Sequence, residues 1–409
     1  MIDEKKESLA VIHTHPIQYL APLYREVQRQ GVPVTAIYGS DFSVAGYQDE
    51  EFGTSVSWEV DLLSGYDARF LDRKSRGGPE SPEEAGVRGL WQALNEVEPT
   101  AIMLSAYYPW FHSLAALLSA FYAYKSEKEV RLLLRAETTD HAEHRGGLKK
   151  TVRDTFLSSF YSLFDHFLYI GERSKNHYQR FKIGQERLSF SPYSVNTDVF
   201  QEGESKREKR RKKIRGDFGI EEDTYTVLFV GKISERKGVD LLVEALAGME
   251  EKEEVALLFV GEGSMERKLR RRAQQEGVEV HFAGFQKQED LSPFYHASDA
   301  LVLPSRRGET WGLVVNEALH HGVPAIVSDQ VGCAPNLIES GRTGEVFRNE
   351  DVEDLRQAIL TVKSRYDRTE EHREEIRQFA EAYSIEVSAR GIVNALKASE
   401  KGYSYECAN

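Results

Sequence analysis

The chain has 409 residues, two to three times the ~100–200 of a usual domain, so two domains are expected. Its 40% hydrophobic and 29% charged residues, with 31 glycines and 12 prolines, supply apolar material for sizeable cores and exclude a mainly disordered or collagenous chain. Lys+Arg of 53 against Asp+Glu of 66 leave a net charge of −13, which argues against duplex nucleic acid as the main partner, because phosphate binding rests on a net basic face.

The start, MIDEKKESLAVIHTH, has an apolar run too short and too polar for a signal peptide. Short apolar runs then alternate with helical patterns: LAVIHT at 9–14, VTAIYG at 34–39, AIMLSA at 101–106, RLLLRAE at 131–137 and HFLYIG at 166–171. That alternation predicts βαβ units and a parallel sheet. Residues 201–220, QEGESKREKRRKKIRGDFGI, are dense in charge and read as an exposed linker leading into a helix, so the boundary is placed near residue 200. The rhythm restarts with runs at 226–231, 255–261, 278–284, 299–305 and 324–329, which predicts a second doubly wound sheet. Residues 351–398 read as helices with no strand after them, which suits a terminal segment returning to brace the first domain. The expected domains are therefore 1–200, completed by 375–409, and 201–374. No stretch reaches the ~18 uninterrupted apolar residues of a spanning helix, and Cys333 and Cys407 are too few for a disulfide framework or a zinc site, so a cytoplasmic protein with at most peripheral membrane contact is expected.

Open parallel sheets bind ligands beyond the carboxyl ends of their strands, so function is sought in the strand-to-helix loops. In FVGKISERKGVD, 229–240, Gly231 ends a strand and Lys232, Arg236 and Lys237 crowd before Gly238 and a helix start. Cations beside a helix start suit a diphosphate; a solvated basic turn is the other reading. In LPSRRGETWGLVVNEALHHGVPAIVSD, 303–329, Thr310-Trp311-Gly312 reads as the turn opening a helix from Leu313 to His320, ended by Gly322 and Pro324. The amides of Gly312, Leu313 and Val314 are then first-turn donors for an anion, beside Glu309. Glu309 could also simply cap the helix, and Glu317 could face solvent. But Glu317 stands inside an apolar run, where a carboxylate is expensive without a hydrogen-bond donor, and ribose hydroxyls would serve.

The stretch S-R-x-G-E-T-W-G-L-V-V-N-E-A-L-x-x-G-V-P-A-I-V-S-D, 305–329, resembles the Glu-x7-Glu donor motif of glycosyltransferase family 4, retaining nucleotide-sugar transferases of α/β class with two facing Rossmann-like domains and a cleft between them, the GT-B architecture. The resemblance extends through 260–269, 282–305 and 331–347 and covers essentially the whole second domain. It implies that Glu317 binds ribose hydroxyls, Lys232 and Lys237 the diphosphate, the amides of Leu313 and Val314 the distal phosphate, and Glu309 hydroxyls of the transferred sugar, while Gly284-Phe285 borders the base. The family often has arginine where this chain has Lys232, which keeps the charge and loses the bidentate fork. The donor implied is a nucleoside diphosphate sugar, with no tightly bound cofactor and no metal required, and the acceptor a saccharide or a lipid-linked one. A sugar-nucleotide 2-epimerase of the same architecture and a catalytically idle sugar-nucleotide-binding scaffold are the alternatives.

The first domain resembles the family less closely. Its strand LAVIHT leads into His15-Pro16-Ile17-Gln18-Tyr19-Leu20-Ala21-Pro22, similar to a subset of the family in bacterial surface-polysaccharide clusters, which implies that His15 and Gln18 face the acceptor. His15 has a structural alternative, a helix-entry histidine bonded to backbone. Arg135 and Glu137 follow a strand and are either cleft residues, the preferred reading, or a neighbouring ion pair. The segment 190–200 resembles the family's inter-domain hinge. His13, His141 and His144 have no assignment, and no His/Cys/Asp grouping has metal-ligand spacing. Two basic clusters remain. Arg145–Arg153 precedes Phe156, Leu157, Phe160 and Leu163, which either lie on an anionic leaflet at the inner face of the membrane or are core; Lys206–Arg215 reads as a solvated helix face.

Overall fold

The computed structural model describes residues 7–45, 47–49, 54–56, 61–141, 147–197, 204–250, 254–366 and 369–397. His144, Arg145, Cys407, the end of the 190–200 segment and residues 398–409 of the expected returning segment 375–409 lie outside the described residues. The chain divides into two units, 1–194 with 385–409, and 195–384.

In the first unit the strands are β1 (Leu9–His13), β2 (Val34–Tyr38), β3 (Tyr47–Asp49), β4 (Thr54–Val56), β5 (Asp67–Phe70), β6 (Ala101–Leu104), β7 (Arg131–Leu134), β8 (His166–Tyr169) and β9 (Leu188–Phe190). β3 and β4 form an antiparallel pair; the other seven make one sheet in the order β5-β2-β1-β6-β7-β8-β9, and its strand pairs are parallel. β1 and β6 are buried along their whole length, the unbroken apolar run demanded of a strand covered on both faces. One face carries the helices Leu90–Val97, Trp110–Lys125 and Gly147–Tyr161. The other carries Ala21–Arg29 and the returning Ile385–Lys397, which contributes Ala389, Ile392, Val393 and Leu396 to the core. Ser388 Oγ donates to the Pro192 carbonyl at 2.7 Å, and Ser191 Oγ to the Ser388 carbonyl at 2.9 Å, which ties that helix to the segment that follows β9. The helix Glu370–Ala380, which straddles the expected boundary at 374–375, packs on Leu313–His320 of the second unit.

The second unit adds β10 (Tyr225–Val230), β11 (Val255–Val260), β12 (Glu279–Phe282), β13 (Ala300–Leu303), β14 (Ala325–Ser328) and β15 (Gly344–Phe347), in the order β12-β11-β10-β13-β14-β15, with parallel pairs. β10 and β11 are fully buried and pair residue for residue from Tyr225↔Val255 to Val230↔Val260. β5, β9 and β15, which the sequence did not announce, are all outer strands of their sheets. An outer strand needs only a short or half-polar apolar run.

Two surface expectations change. Lys206–Arg215 lies on the helix Glu204–Phe218, but Arg211 and Arg215 are buried rather than solvated: each donates to one oxygen of Asp299, at 3.1 and 2.8 Å, and both reach backbone carbonyls besides. The carboxylate and the carbonyls supply the partners without which a buried guanidinium would be prohibitive. Leu157 and Phe160 face the core, with Leu163 partly buried beside it, so that stripe is packing and not a membrane face; Phe156 alone of the four is exposed.

Both sheets have a topological switch point, where the chain leaves a central strand in one direction and returns on its other side: between β1 and β6, and between β10 and β13. Loops leaving the carboxyl ends of such strands diverge and leave room for a ligand.

Candidate functional site

In the second unit the loops after β10 and β13 flank the switch point. After β10, Gly231 (φ 138°) and half-buried Lys232 lead into a single 3-10 turn, Glu235–Lys237, closed by Gly238. The loop is zipped to its neighbours by backbone: Gly231 N donates to the Val260 carbonyl at 2.9 Å, Ile233 N to Glu262 at 2.8 Å, and Gly261 N to Gly284 at 2.8 Å. A Cβ at Gly261, which has φ 131°, would overlap the Gly231 carbonyl, so the close approach of these two loops requires glycine.

Across the switch point, Arg306 N donates to the Arg236 carbonyl at 2.9 Å and Arg236 Nη1 to the Gly308 carbonyl at 3.1 Å. Arg306 forms a two-pronged pair with Asp240 at 2.8 and 3.0 Å. These bonds set Lys237 and Glu309 against each other: the ammonium donates to Glu309 Oε2, which also accepts from Ser305 Oγ at 2.9 Å. From behind, Gly332 N donates to the Glu309 carbonyl and Cys333 N to that of Trp311, both at 2.9 Å.

Gly312 (φ 102°) is the N-cap of the helix Leu313–His320 and makes no side-chain cap bond. Glu309 therefore spends its carboxylate on Lys237 and Ser305, not on the helix start. Leu313 and Val314 are half-exposed, and Trp311 Nε1 donates to Asn316 Oδ1 at 2.8 Å, which staples the first turn. One turn on, Glu317 is buried. Tyr295 O–H donates to its Oε2 at 2.6 Å and Gln288 Nε2 to its Oε1 at 3.4 Å; burial pushes its carboxyl up to about 7 and these two donors oppose that rise. Tyr295 is held in turn by a stacked His321, ring centroids 4.7 Å apart, whose Nδ1 donates to the Glu317 carbonyl at 2.6 Å. One hydroxyl, of Tyr295, and one amide, of Gln288, thus donate to Glu317 from within the protein. Phe285 is exposed, and its backbone N–H reaches Glu262 Oε1 at 3.4 Å.

The structure therefore brings together Gly231, Lys232, Lys237, Glu309 and Gly312 in the loops about one switch point, with Leu313 and Val314 opening the helix that leaves it and Glu317 further along that helix. Sequence reasoning missed Ser305, Tyr295, Gln288 and the Arg306–Asp240 clamp. Tyr295 and Gln288 carry no local signal, since they meet Glu317 from a different loop and helix.

In the first unit, His15 follows β1. Its Nδ1 lies 2.8 Å from Thr14 Oγ1, its ring packs 4.6 Å from Phe42, and burial pushes its pKa down to about 4, so the imidazole is neutral near pH 7. Gln18 is half-buried beside it in sequence. Glu137 accepts from Tyr19 O–H at 3.4 Å and from Tyr193 O–H. Arg135 is buried and donates to Ser191 Oγ at 3.1 Å and the Pro192 carbonyl at 2.9 Å, with its guanidinium 5.0 Å from the Tyr193 ring. It therefore holds the 191–193 segment, and Tyr193 stands between it and Glu137. His13, unassigned from sequence, is buried between Tyr24 O–H and Ser105 Oγ, the latter at 2.9 Å across the first switch point. Among the described residues no three His, Cys, Asp or Glu side chains are grouped as metal ligands, and no helix is long and apolar enough to cross a membrane.

Residues 210–382 match the family described as Glycosyl transferases group 1. The chain is 33% identical over 121 residues to an uncharacterized glycosyltransferase, MJ1607, of Methanocaldococcus jannaschii, covering 29% of this chain and 31% of that one. It is 32% identical over 181 residues to a GDP-mannose-dependent alpha-(1-6)-phosphatidylinositol monomannoside mannosyltransferase of Mycobacterium tuberculosis, covering 42% and 46%. The matches span about a quarter to a half of the length of the curated relatives. The structure of Anabaena Alr3699/HepE in complex with UDP and glucose superposes with a TM-score of 0.66 at 16% identity, covering 96% of this chain and all of that one. The fold is that of the GT-B glycosyltransferases.

Proposed function

We propose that the chain is a retaining glycosyltransferase that moves a sugar from a nucleoside diphosphate to a hydroxyl of a saccharide or glycolipid, in polysaccharide or glycoconjugate assembly at the cytoplasmic face of a membrane. The observation that carries this reading is the Lys237–Glu309 pair at the switch point of the second sheet, beside a helix start whose N-cap is Gly312. A cation, helix amides and a carboxylate in one place suit a diphosphate and the polyol attached to it. UDP in the Anabaena neighbour, and transferase names among the relatives, support a nucleotide-sugar donor.

In this reading Lys232, Lys237 and the amides of Leu313 and Val314 take the diphosphate, Glu317 the ribose, Phe285 borders the base and Glu309 holds the sugar. Lys237 moves from Glu309 to the diphosphate, and the carboxylate so released accepts from sugar hydroxyls. The bond between the anomeric carbon and the phosphate oxygen breaks as the bond to the acceptor oxygen forms on the same face. The acceptor hydroxyl's proton passes to the departing phosphate oxygen, so no protein base is needed. The protein contributes charge for the leaving group and orientation of the reactants. His15, Gln18 and Glu137 are assigned to the acceptor, with Arg135 positioning the segment that carries Tyr193.

The test is calorimetric titration with UDP, GDP and ADP, followed by product analysis with the matching sugar donors. Binding of one nucleoside diphosphate and transfer with unchanged anomeric configuration is expected. No affinity for any of the three, or an inverted product, overturns the reading; conversion of a donor with no acceptor present favours the epimerase.

A further inference from the structure

The edge of the first sheet opposite its switch-point loops holds a cavity of its own. The helix Leu90–Val97 ends at Glu98, just before β6, and Trp110–Lys125 ends at Ser126, just before β7. β6 and β7 are parallel, so the two helix ends meet at the amino ends of neighbouring strands. The loops assigned to the acceptor lie beyond the carboxyl ends, about 13 Å away along strands of four residues. The cavity measures about 270 Å³, just under the ~300–1,000 Å³ of pockets for drug-sized ligands, so it takes a small one.

Its lining selects the ligand. Trp91, exposed, and Tyr122 supply the aromatic part, with ring centroids 5.7 Å apart; Trp91 also lies 5.5 Å from Phe121. Trp91 is parallel to neither ring, at 77° and 39°, so it forms with them no slot that would sandwich a flat base. The polar part is mixed: Glu98 and Glu127 carry acceptors, Lys125 and Lys128 donors, and Asn95 and Ser126 both. The formal charges cancel. A phosphate would meet two carboxylates and the negative ends of two helix dipoles, and an ammonium would meet two lysines. Hydroxyls both donate and accept, so they match every one of these groups, and the C–H face of a sugar ring matches the indole. Glu98 is not explained by the backbone or by stability. It takes φ 48° after the helix end, a left-handed position that glycine or asparagine fills most easily, and its ion pair with Lys128 lies at the surface, where such pairs contribute little.

We infer that this cavity binds a neutral saccharide, one ring of which stacks on Trp91 while Asn95, Glu98 and Lys128 take its hydroxyls. It is a sugar site separate from the acceptor loops. It goes beyond the proposed transfer reaction and does not rest on it, since recognition comes from the lining of the cavity alone.

The test is saturation-transfer NMR of the full chain, without nucleotide, against neutral tetrasaccharides of glucose, mannose, galactose and N-acetylglucosamine, followed by titration of those that bind. Binding of at least one tetrasaccharide is expected. Trp91→Ala should weaken it about tenfold or more. Asn95→Ala, at an exposed position, should weaken it about two- to tenfold with the fold untouched. Glu98→Gly removes the carboxylate and suits the left-handed backbone, so affinity should fall while the melting temperature does not. UDP titrations, unchanged in the three variants, separate failure of this site from failure of the donor reading. No binding of any tetrasaccharide, binding that the three variants leave intact, or displacement of the sugar by inorganic phosphate would each overturn the inference, the second by placing the sugar at the acceptor loops and the last by naming an anion site.

Discussion

The Lys237 ammonium and the Glu309 carboxylate, 72 positions apart in the chain, are bonded to each other across the switch point of the second sheet. Both side chains are only 14% exposed, so each is the main compensation for the other's burial. A residue expected to bind phosphate and one expected to bind sugar are thus coupled before either ligand arrives.

Lys237→Ala should weaken nucleoside diphosphate binding ten- to hundredfold, the cost of one charge-assisted contact at ~1.5–3 kcal/mol. It should also lower the melting temperature, because Glu309 is left half-buried without its partner. Lys237→Met with Glu309→Gln should recover the melting temperature and not the affinity. Equal nucleotide affinity in the folded single variant, read by calorimetry, would remove Lys237 from the phosphate site.

For Glu309→Gln, the expectation is a fall in kcat larger than any rise in donor KM, since an interaction with the developing cationic sugar is made mainly in the transition state. Because the carboxylate bonds Lys237 and Ser305 rather than the helix start, the loss of stability should come from that pair. Near-normal turnover with a lowered melting temperature would make the residue structural.

Glu317 ties stability to pH. Its carboxyl is raised from 4.5 to about 7 by burial, so between those values the folded state holds a proton that the unfolded state has released. Stability therefore falls as pH rises through this window, by about 3 kcal/mol in all. Denaturation of wild type and Glu317→Gln from pH 4 to 8 should show this slope in the first and not in the second. The same variant should lose affinity for ribonucleotide donors more than for their 2′,3′-dideoxy analogues; parallel losses would take ribose out of the site.

Asp299→Ala would leave Arg211 and Arg215 buried without their shared carboxylate, and would also strip the Thr226 amide of the Asp299 oxygen that accepts from it at 2.8 Å. Breaking a buried ionic cluster on one side costs about 3–5 kcal/mol. The denaturant midpoint of the second unit should fall accordingly, while nucleotide affinity at low denaturant stays unchanged. A midpoint within error of wild type would mean that water reaches the two guanidinium groups.

Alternation of apolar runs with helical patterns was enough to announce two parallel sheets, because a strand covered on both faces must be apolar throughout, as in LAVIH and VALLFV. Local chemistry also placed Gly231, Lys237, Glu309 and Gly312 in strand-to-helix loops, since glycine at positive φ and charge beside a helix start are properties of a few consecutive residues. Which of those groups touch was decided only by the tertiary structure. Lys237 meets Glu309, Tyr295 meets Glu317 and Arg215 meets Asp299 through strand order, which no short-range spacing encodes. Exposure was undecidable for the same reason. Leu157 and Leu117 both lie on helices of one sheet face, yet packing buries the first in the core and leaves the second outside, because burial depends on what the rest of the chain brings to cover a side chain.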